Sequence, residues 1–271
     1  MGPVTTSPDY DAGAYYADDA VSLHHGDGFL GVAGMPDRDV DVVITDPPYD
    51  ARTHSMARSN STRNSVSGKG SRVLSGGSSA RFEPLTHDQQ RALFAELGRV
   101  TRSWVIATVA TDTAFRFEVE GPPPGLRLMR VGAWIKTNPM PMISADRPAM
   151  GWETIVFLHR DDVKPSWHGG GRAANYVGPT VQGSGHPTAK PLPMVAQWVR
   201  MFTAPGELIL DPFAGSGTTL RAAKDEGRRA IGWEIDAGHC ETAARRLSQD
   251  TLFGELGLTT VFPPAKSGGA A

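Results

Sequence analysis

Two short stretches hold residue types that can do chemistry. In ITDPPYD, residues 44–50, an apolar run ends at Ile44 and is followed at once by an acid, two prolines and a tyrosine. Pro47 and Pro48 fix φ and lack an N–H, so the segment is stiff. The Asp46 carboxylate and the Pro47 carbonyl can point into one space as acceptors. Tyr49 sets a flat face beside them. Two acceptors next to an aromatic plane suit a planar group bearing an NH₂, such as the exocyclic amine of adenine or cytosine.

The second stretch is LILDPFAGSGTTL, residues 208–220: an apolar strand, an acid, a glycine turn and the start of a helix. Gly215 and Gly217 permit backbone conformations and close approaches that a side chain would block, so a cofactor can sit against the turn and the helix N-terminus. A phosphate-cradling loop needs a lysine after the last glycine, where this chain has Thr218, which disfavours ATP. A dinucleotide fingerprint wants a third glycine where Leu220 stands, which weakens NAD. S-adenosylmethionine, which carries no phosphates, is the remaining candidate. Glu234 closes the next strand, where a carboxylate can accept both ribose hydroxyl protons, and so supports an adenosine ligand of any of these kinds.

Both stretches need strands to carry them, and the chain supplies an alternation. Strand-like runs are VDVVIT (40–45), WVIATV (104–109), RLMRVGAWIK (127–136), ETIVFLHR (153–160), ELILDPF (207–213) and RRAIGWEI (228–235). Helices are expected over about 87–100, 190–203, 217–226 and 237–249. The first has Thr86 and Gln89 placed as a capping box, with Leu93, Leu97 and Val100 on one face. Such alternation predicts an α/β domain with a mainly parallel sheet covered by helices. In open sheets of that kind, ligands sit at the carboxyl ends of the strands, where both motifs fall.

Two stretches break the pattern. Residues 51–82 carry Arg52, Arg58, Arg63, Lys69, Arg72 and Arg81 with no acid among Ser, Asn and Gly, and read as a long flexible basic loop. Residues 160–185 are irregular but hold Trp167, Arg172, Asn175, Tyr176 and Gln182, the composition of an ordered surface. Residues 1–20 and 251–271 read as flexible ends.

Composition bounds the rest. A chain of 271 residues with 39% hydrophobic content can bury a real core, and one domain is expected. The net charge of −2 advertises no nucleic-acid partner, although it says nothing of a local patch. A single cysteine, Cys240, excludes an internal disulfide and a cysteine cage for a metal, and fits a reducing, cytoplasmic setting. The eight histidines show no ligand spacing, so no metal is expected. Nothing in the N-terminus reads as a signal peptide, and no apolar run is long enough to span a bilayer.

DPPY taken together with DPFAGSGTT resembles the DNA amino-methyltransferases, which move a methyl group from S-adenosylmethionine to adenine N6 or cytosine N4. GDGF (26–29), WIKTNPMP (134–141), ETIVFLHR and HPTAKP (186–191) also resemble family segments. The tetrapeptide precedes the cofactor loop, the order of the permuted group called beta. The resemblance covers about residues 23–249 and implies a Rossmann-like, mainly parallel seven-stranded sheet with helices on both faces, occupying residues 21–250. It implies that Asp46, Pro47, Pro48 and Tyr49 form the catalytic motif, and that Phe213, Gly215, Gly217, Thr218 and Glu234 hold the cofactor. Asp27 is expected at the adenine ring, and the segment with His186, Thr188 and Lys190 over the methionine end.

A base inside a duplex cannot present its amine to such a pocket, so double-stranded DNA is the expected substrate, with the target nucleotide flipped out onto Tyr49. Arg52, Arg58, Arg63, Lys69 and Arg72 are candidates for phosphate contacts, and residues 160–185, with Arg172, for sequence recognition. Asp at the first motif position resembles the adenine enzymes, whereas cytosine-N4 enzymes more often carry Ser. Cytosine C5 chemistry needs a thiolate, for which Cys240 lacks the context. Other readings compatible with the motifs are an S-adenosylmethionine-binding nucleic-acid module without turnover and an RNA or protein amide methyltransferase. A homodimer and a cognate restriction enzyme are expectations by analogy alone.

Overall fold

The computed structural model describes residues 10–48, 85–142, 146–181 and 189–249. Among them, nine strands form one sheet: β1 (Tyr16–Ala17), β2 (Val21–His25), β3 (Val40–Thr45), β4 (Thr101–Val109), β5 (Leu126–Lys136), β6 (Trp152–Arg160), β7 (Asn175–Gly178), β8 (Leu208–Asp211) and β9 (Arg229–Glu234). Their spatial order is β1-β2-β9-β8-β3-β4-β6-β5-β7. Only β1 and β6 run against the rest: β1 is antiparallel to β2, and β6 to both β4 and β5. The carboxyl ends of the other strands therefore share one edge of the sheet, and β6 starts at that edge.

The central strands are near-continuous apolar runs because both faces are covered. Alternation along β3 sends Val42 and Ile44 to one face and Val43 to the other. On the first face lie α4 (Leu192–Phe202), α5 (Thr218–Asp225) and α6 (Ala237–Leu247), which contribute Val195, Trp198, Leu220 and Ala243 to the core. On the second lie α1 (Gly28–Ala33), α2 (His87–Val100) and α3 (Thr111–Val119), with Val32, Leu93, Phe94, Leu97 and Phe117. The expected capping box is made: the Thr86 hydroxyl accepts from the Gln89 N–H at 3.2 Å, and the Thr86 N–H donates to Gln89 Oε1 at 2.8 Å.

The expected seven strands are the central ones, and β1 and β7 extend the sheet at its two edges. Residues 10–20, expected to fray, are tied in: Asp18 accepts from the Ala20 and Val21 N–H groups and pairs with Lys224 at 2.6 Å. Residues 51–82 and the C-terminal tail lie outside the described residues. Among the described residues no helix is long and apolar enough to cross a membrane.

Candidate functional site

β3 and β8 are neighbours, with Val42 opposite Ile209 and Val43 opposite Leu210, so the two motifs leave the sheet side by side. A buried bond joins their tips: the Thr45 hydroxyl donates to Asp211 Oδ1 at 2.8 Å. The same oxygen accepts from the Phe213 N–H at 3.2 Å, which shapes the turn after β8. Burial pushes the Asp211 carboxyl up to about 6, and the Asp46 charge adds to that, against the hydrogen bonds from Thr219, Thr45 and Phe213.

The turn after β8 depends on its glycines. Gly215 and Gly217 stand at φ +53° and +78°, in the left-handed region. Gly217 caps α5, and a Cβ there would meet the Ala243 Cβ at 2.9 Å, so α6 packs directly on the turn. Thr218 opens α5, almost buried. The Gly215 N–H donates to Glu234 Oε2 at 2.8 Å, and the Asp236 N–H to Glu234 Oε1 at 2.8 Å. Two backbone donors thus fix the carboxylate at the tip of β9.

The loop after β2 closes on the same turn. The Gly26 N–H donates to the Glu234 carbonyl at 2.9 Å. The Asp27 carboxylate caps α1, accepting from the Phe29 N–H at 2.9 Å. Gly28 lies so close to the turn that a Cβ would sit 1.9 Å from the Pro212 carbonyl oxygen, and Phe29 meets Phe213 edge to face at 5.4 Å. Asp27, Phe213, Gly215, Gly217, Thr218 and Glu234 are therefore gathered at one end of the sheet.

Asp46 lies just beyond β3. The Thr108 hydroxyl, at the end of β4, donates to its Oδ1, and the Lys190 ammonium donates to its Oδ2 at 2.5 Å. Lys190, expected at the methionine end of a cofactor, is thus seated on the carboxylate of the first motif. It also lies 3.3 Å from Glu153, which pairs with Lys136 at 2.8 Å. Lys136 in turn stands 5.0 Å from the Trp134 ring centre. Burial alone would raise the Glu153 carboxyl, but the Lys190 charge, with Lys136, holds it below the usual range. Pro47 and Pro48 line a small apolar hollow with Leu85, Leu93, Phe94 and Val109, which seats the stiff segment on α2.

Thr45, Thr108, Glu153 and Lys136 were not singled out from the sequence. Their one signal is that each is a polar residue at or near the end of an apolar strand. It becomes informative only once the strand order is known, because the start of antiparallel β6 meets the ends of β4 and β5, next to β3.

Tyr49, His186, Thr188, Arg52, Arg58, Arg63, Lys69 and Arg72 lie outside the described residues. Arg172 is exposed, just ahead of β7, and β7 is four strand positions from β3, roughly 19 Å at the usual spacing. Trp167 packs edge to face on Phe202 at 5.1 Å while remaining exposed, and Tyr176, partly buried, packs against the core. Cys240 is buried beneath Glu234. Burial, then the Glu234 and Asp236 charges, pushes its thiol up to about 12, which removes it as a thiolate nucleophile. Among the described residues no three His, Cys, Asp or Glu side chains gather as for a metal ion.

Residues 125–245 match the model of a family described as DNA methylase. Type II methyltransferase M2.DpnII of Streptococcus pneumoniae is 25% identical over 259 residues, covering 87% of this chain and 92% of that protein. Among solved structures, an M1.HpyAVI–SAM complex aligns with a TM-score of 0.58 at 22% identity, over 83% of this chain and 99% of its own. The PvuII DNA methyltransferase, described as cytosine-N4-specific, aligns at 0.63 and 16% identity, over 90% and 92%.

Proposed function

We propose that this chain, a DNA amino-methyltransferase of the N6-adenine/N4-cytosine group, methylates adenine at N6 in a specific duplex sequence, with S-adenosylmethionine as donor. One observation carries the reading: the Asp46 carboxylate and the glycine turn leave adjacent parallel strands at one sheet edge, bonded through Thr45 and Asp211. The choice of adenine rests on the aspartate that opens DPPY.

The residues present fit that donor. Glu234 offers a fixed carboxylate for ribose hydroxyls, and Asp27, Phe213 and the Gly215–Thr218 turn border the same space. A phosphate would meet the Glu234 anion, with Thr218 where a phosphate-binding lysine belongs. When bound, S-adenosylmethionine supplies an electrophilic methyl group on a sulfonium.

The protein's task is to align an amine with that methyl group and keep its lone pair out of the ring. Asp46 and the Pro47 carbonyl accept the two N–H hydrogens and draw the nitrogen toward tetrahedral geometry. As the nitrogen–carbon bond forms, the methyl–sulfur bond of the donor would break with its electron pair kept by sulfur, and the surplus N–H proton passes to the Asp46 carboxylate and on to water. No covalent enzyme intermediate is needed. Tyr49 stacks on the extruded base, and the basic residues between 51 and 82 grip the flanking phosphates.

The test is expression in a host without DNA methylation, followed by long-read mapping of modified bases. N6-methyladenine in one recurring sequence is the expected result. N4-methylcytosine would transfer the same mechanism to the other base. An unmodified genome together with cofactor binding by the purified protein would replace the reading with a binding module.

A further inference from the structure

The strand ends around Asp46 hold a line of alternating charges: Asp46, Lys190, Glu153 and Lys136. Lys190 is nearly buried, at 9% exposure, and its backbone is held by Pro191, the N-cap of α4, whose Val195 and Trp198 are core residues. Taking an ammonium this far out of water is costly unless anions surround it, and here two do. Glu153 is in turn held by Lys136, and Lys136 lies 17% exposed by side chain near Trp134. Such a chain is more than one surface ion pair needs. Its terminal member is the group proposed to receive the target amine.

A carboxylate at a strand exit turns about its side-chain bonds unless both oxygens are held. Thr108 holds Oδ1 from β4, and Lys190 holds Oδ2 from the start of α4. The Lys190 grip is oriented from behind by Glu153 on β6, which has no bond to Asp46 of its own.

We infer that Lys190 is a positioning residue for methyl transfer: backed by Glu153 and Lys136, it fixes the Asp46 carboxylate before the amine arrives, and does not serve the cofactor. The inference rests on the proposed role of Asp46 as acceptor for that amine. An ammonium reaches its anions as a point charge with three donors. A guanidinium can keep the charge but not the same geometry, so arginine should restore only part of the function.

The experiment uses the full chain with a duplex containing its mapped site, and measures the single-turnover methylation rate, the cofactor dissociation constant and the melting temperature. Lys190→Met should slow the chemical step about ten- to hundredfold, the usual cost of a misplaced group, with cofactor affinity within about threefold. Lys190→Arg should recover part of the rate. Glu153→Gln should also slow the step, and the double variant with Lys190→Met should be no slower than Lys190→Met alone, because the two act as one unit. Loss of cofactor affinity in step with rate would overturn the inference and return Lys190 to the methionine end. A rate within twofold of the parent would overturn it too. If Lys190→Met does not fold, Glu153→Gln decides: a slower step with intact cofactor binding supports the inference, and an unchanged rate sinks it. Asp46→Asn in the same assay separates the two levels. An active Asp46→Asn defeats the proposed acceptor role itself, whereas an inactive one beside a fully active Lys190→Met defeats only this inference.

Discussion

The Thr45 hydroxyl and Asp211 Oδ1, 166 residues apart in sequence, meet at 2.8 Å in the interior of the sheet. This bond sets the tip that carries Asp46 against the tip that carries the glycine turn. Thr45→Val keeps the shape and removes the donor, leaving Asp211 its bonds to Phe213 and Thr219. The expected cost is about 1–2 kcal/mol of stability, read as a lower melting temperature, together with weaker cofactor binding and slower transfer. A variant that melts with the parent and works at the parental rate would show that packing of β3 on β8 suffices.

The same aspartate makes a prediction about pH. Its carboxyl is raised from 3.8 to about 6, chiefly by burial, so the folded state favours the protonated form. Its contribution to stability is fully present below 3.8 and is lost as pH rises through about 6, a swing of roughly 3 kcal/mol from the two values. Asp211→Asn does not titrate. The difference in unfolding free energy, variant minus parent, should therefore grow in the variant's favour between pH 4 and pH 7. A difference that stays flat across that window would mean that the buried carboxyl titrates at its ordinary value.

Gly28 is held to glycine by a neighbour that cannot swing away, since the atom in its path is the backbone oxygen of Pro212. Gly28→Ala must push α1 off the turn or distort it, an overpacking cost of about 1–3 kcal/mol. Asp27 and Phe29 move with α1, so calorimetry should find the cofactor bound at least about tenfold more weakly. Unchanged affinity would place the adenosine end of the cofactor away from this loop.

Asp46 and Glu234 should separate binding from chemistry. Asp46→Ala is expected to abolish transfer while cofactor affinity stays within a few-fold. Glu234→Ala removes the proposed ribose acceptor and leaves the Gly215 and Asp236 N–H groups unpaired. Its expected effect is a loss of cofactor affinity of about ten- to hundredfold, the cost of unpaired buried polar groups. Titration calorimetry and a methylation assay on the same two proteins check both, and the reverse pattern would exchange the assigned roles.

The fold was legible where local rules decide it. The capping box placed α2 to the residue, and the apolar runs located β3, β4, β6, β8 and β9 because a strand covered on both faces is close to apolar throughout; β5, broken by Arg127 and Arg130 and mostly not fully buried, was located by its remaining apolar residues. What stayed hidden was β2, whose His24 and His25 interrupt the apolar pattern, together with α1 and α3 and the edge strands. These elements are short or lie at the periphery, and partners distant in sequence hold them, as His24 stacks on Trp233. In the site, the two motifs stood out by their particular composition, an acid followed by two prolines and a tyrosine in one and an acid followed by two closely spaced glycines in the other. The groups gathered around Asp46 did not, because a threonine near the end of β4 and a glutamate near the start of β6 look like ordinary solvent-side residues until β6 is known to run backwards.

The strand order also governs how the protein is made. β8 and β9 are inserted between β2 and β3, although the ribosome delivers them some 160 residues after β3. Until then, β2 and β3 each present a bare strand edge, and such edges invite pairing with the wrong chain. The half sheet that emerges first already carries Asp46 but has no wall against which to hold a donor. The growing chain is therefore expected to stay chemically silent until β8 and β9 arrive to close the gap.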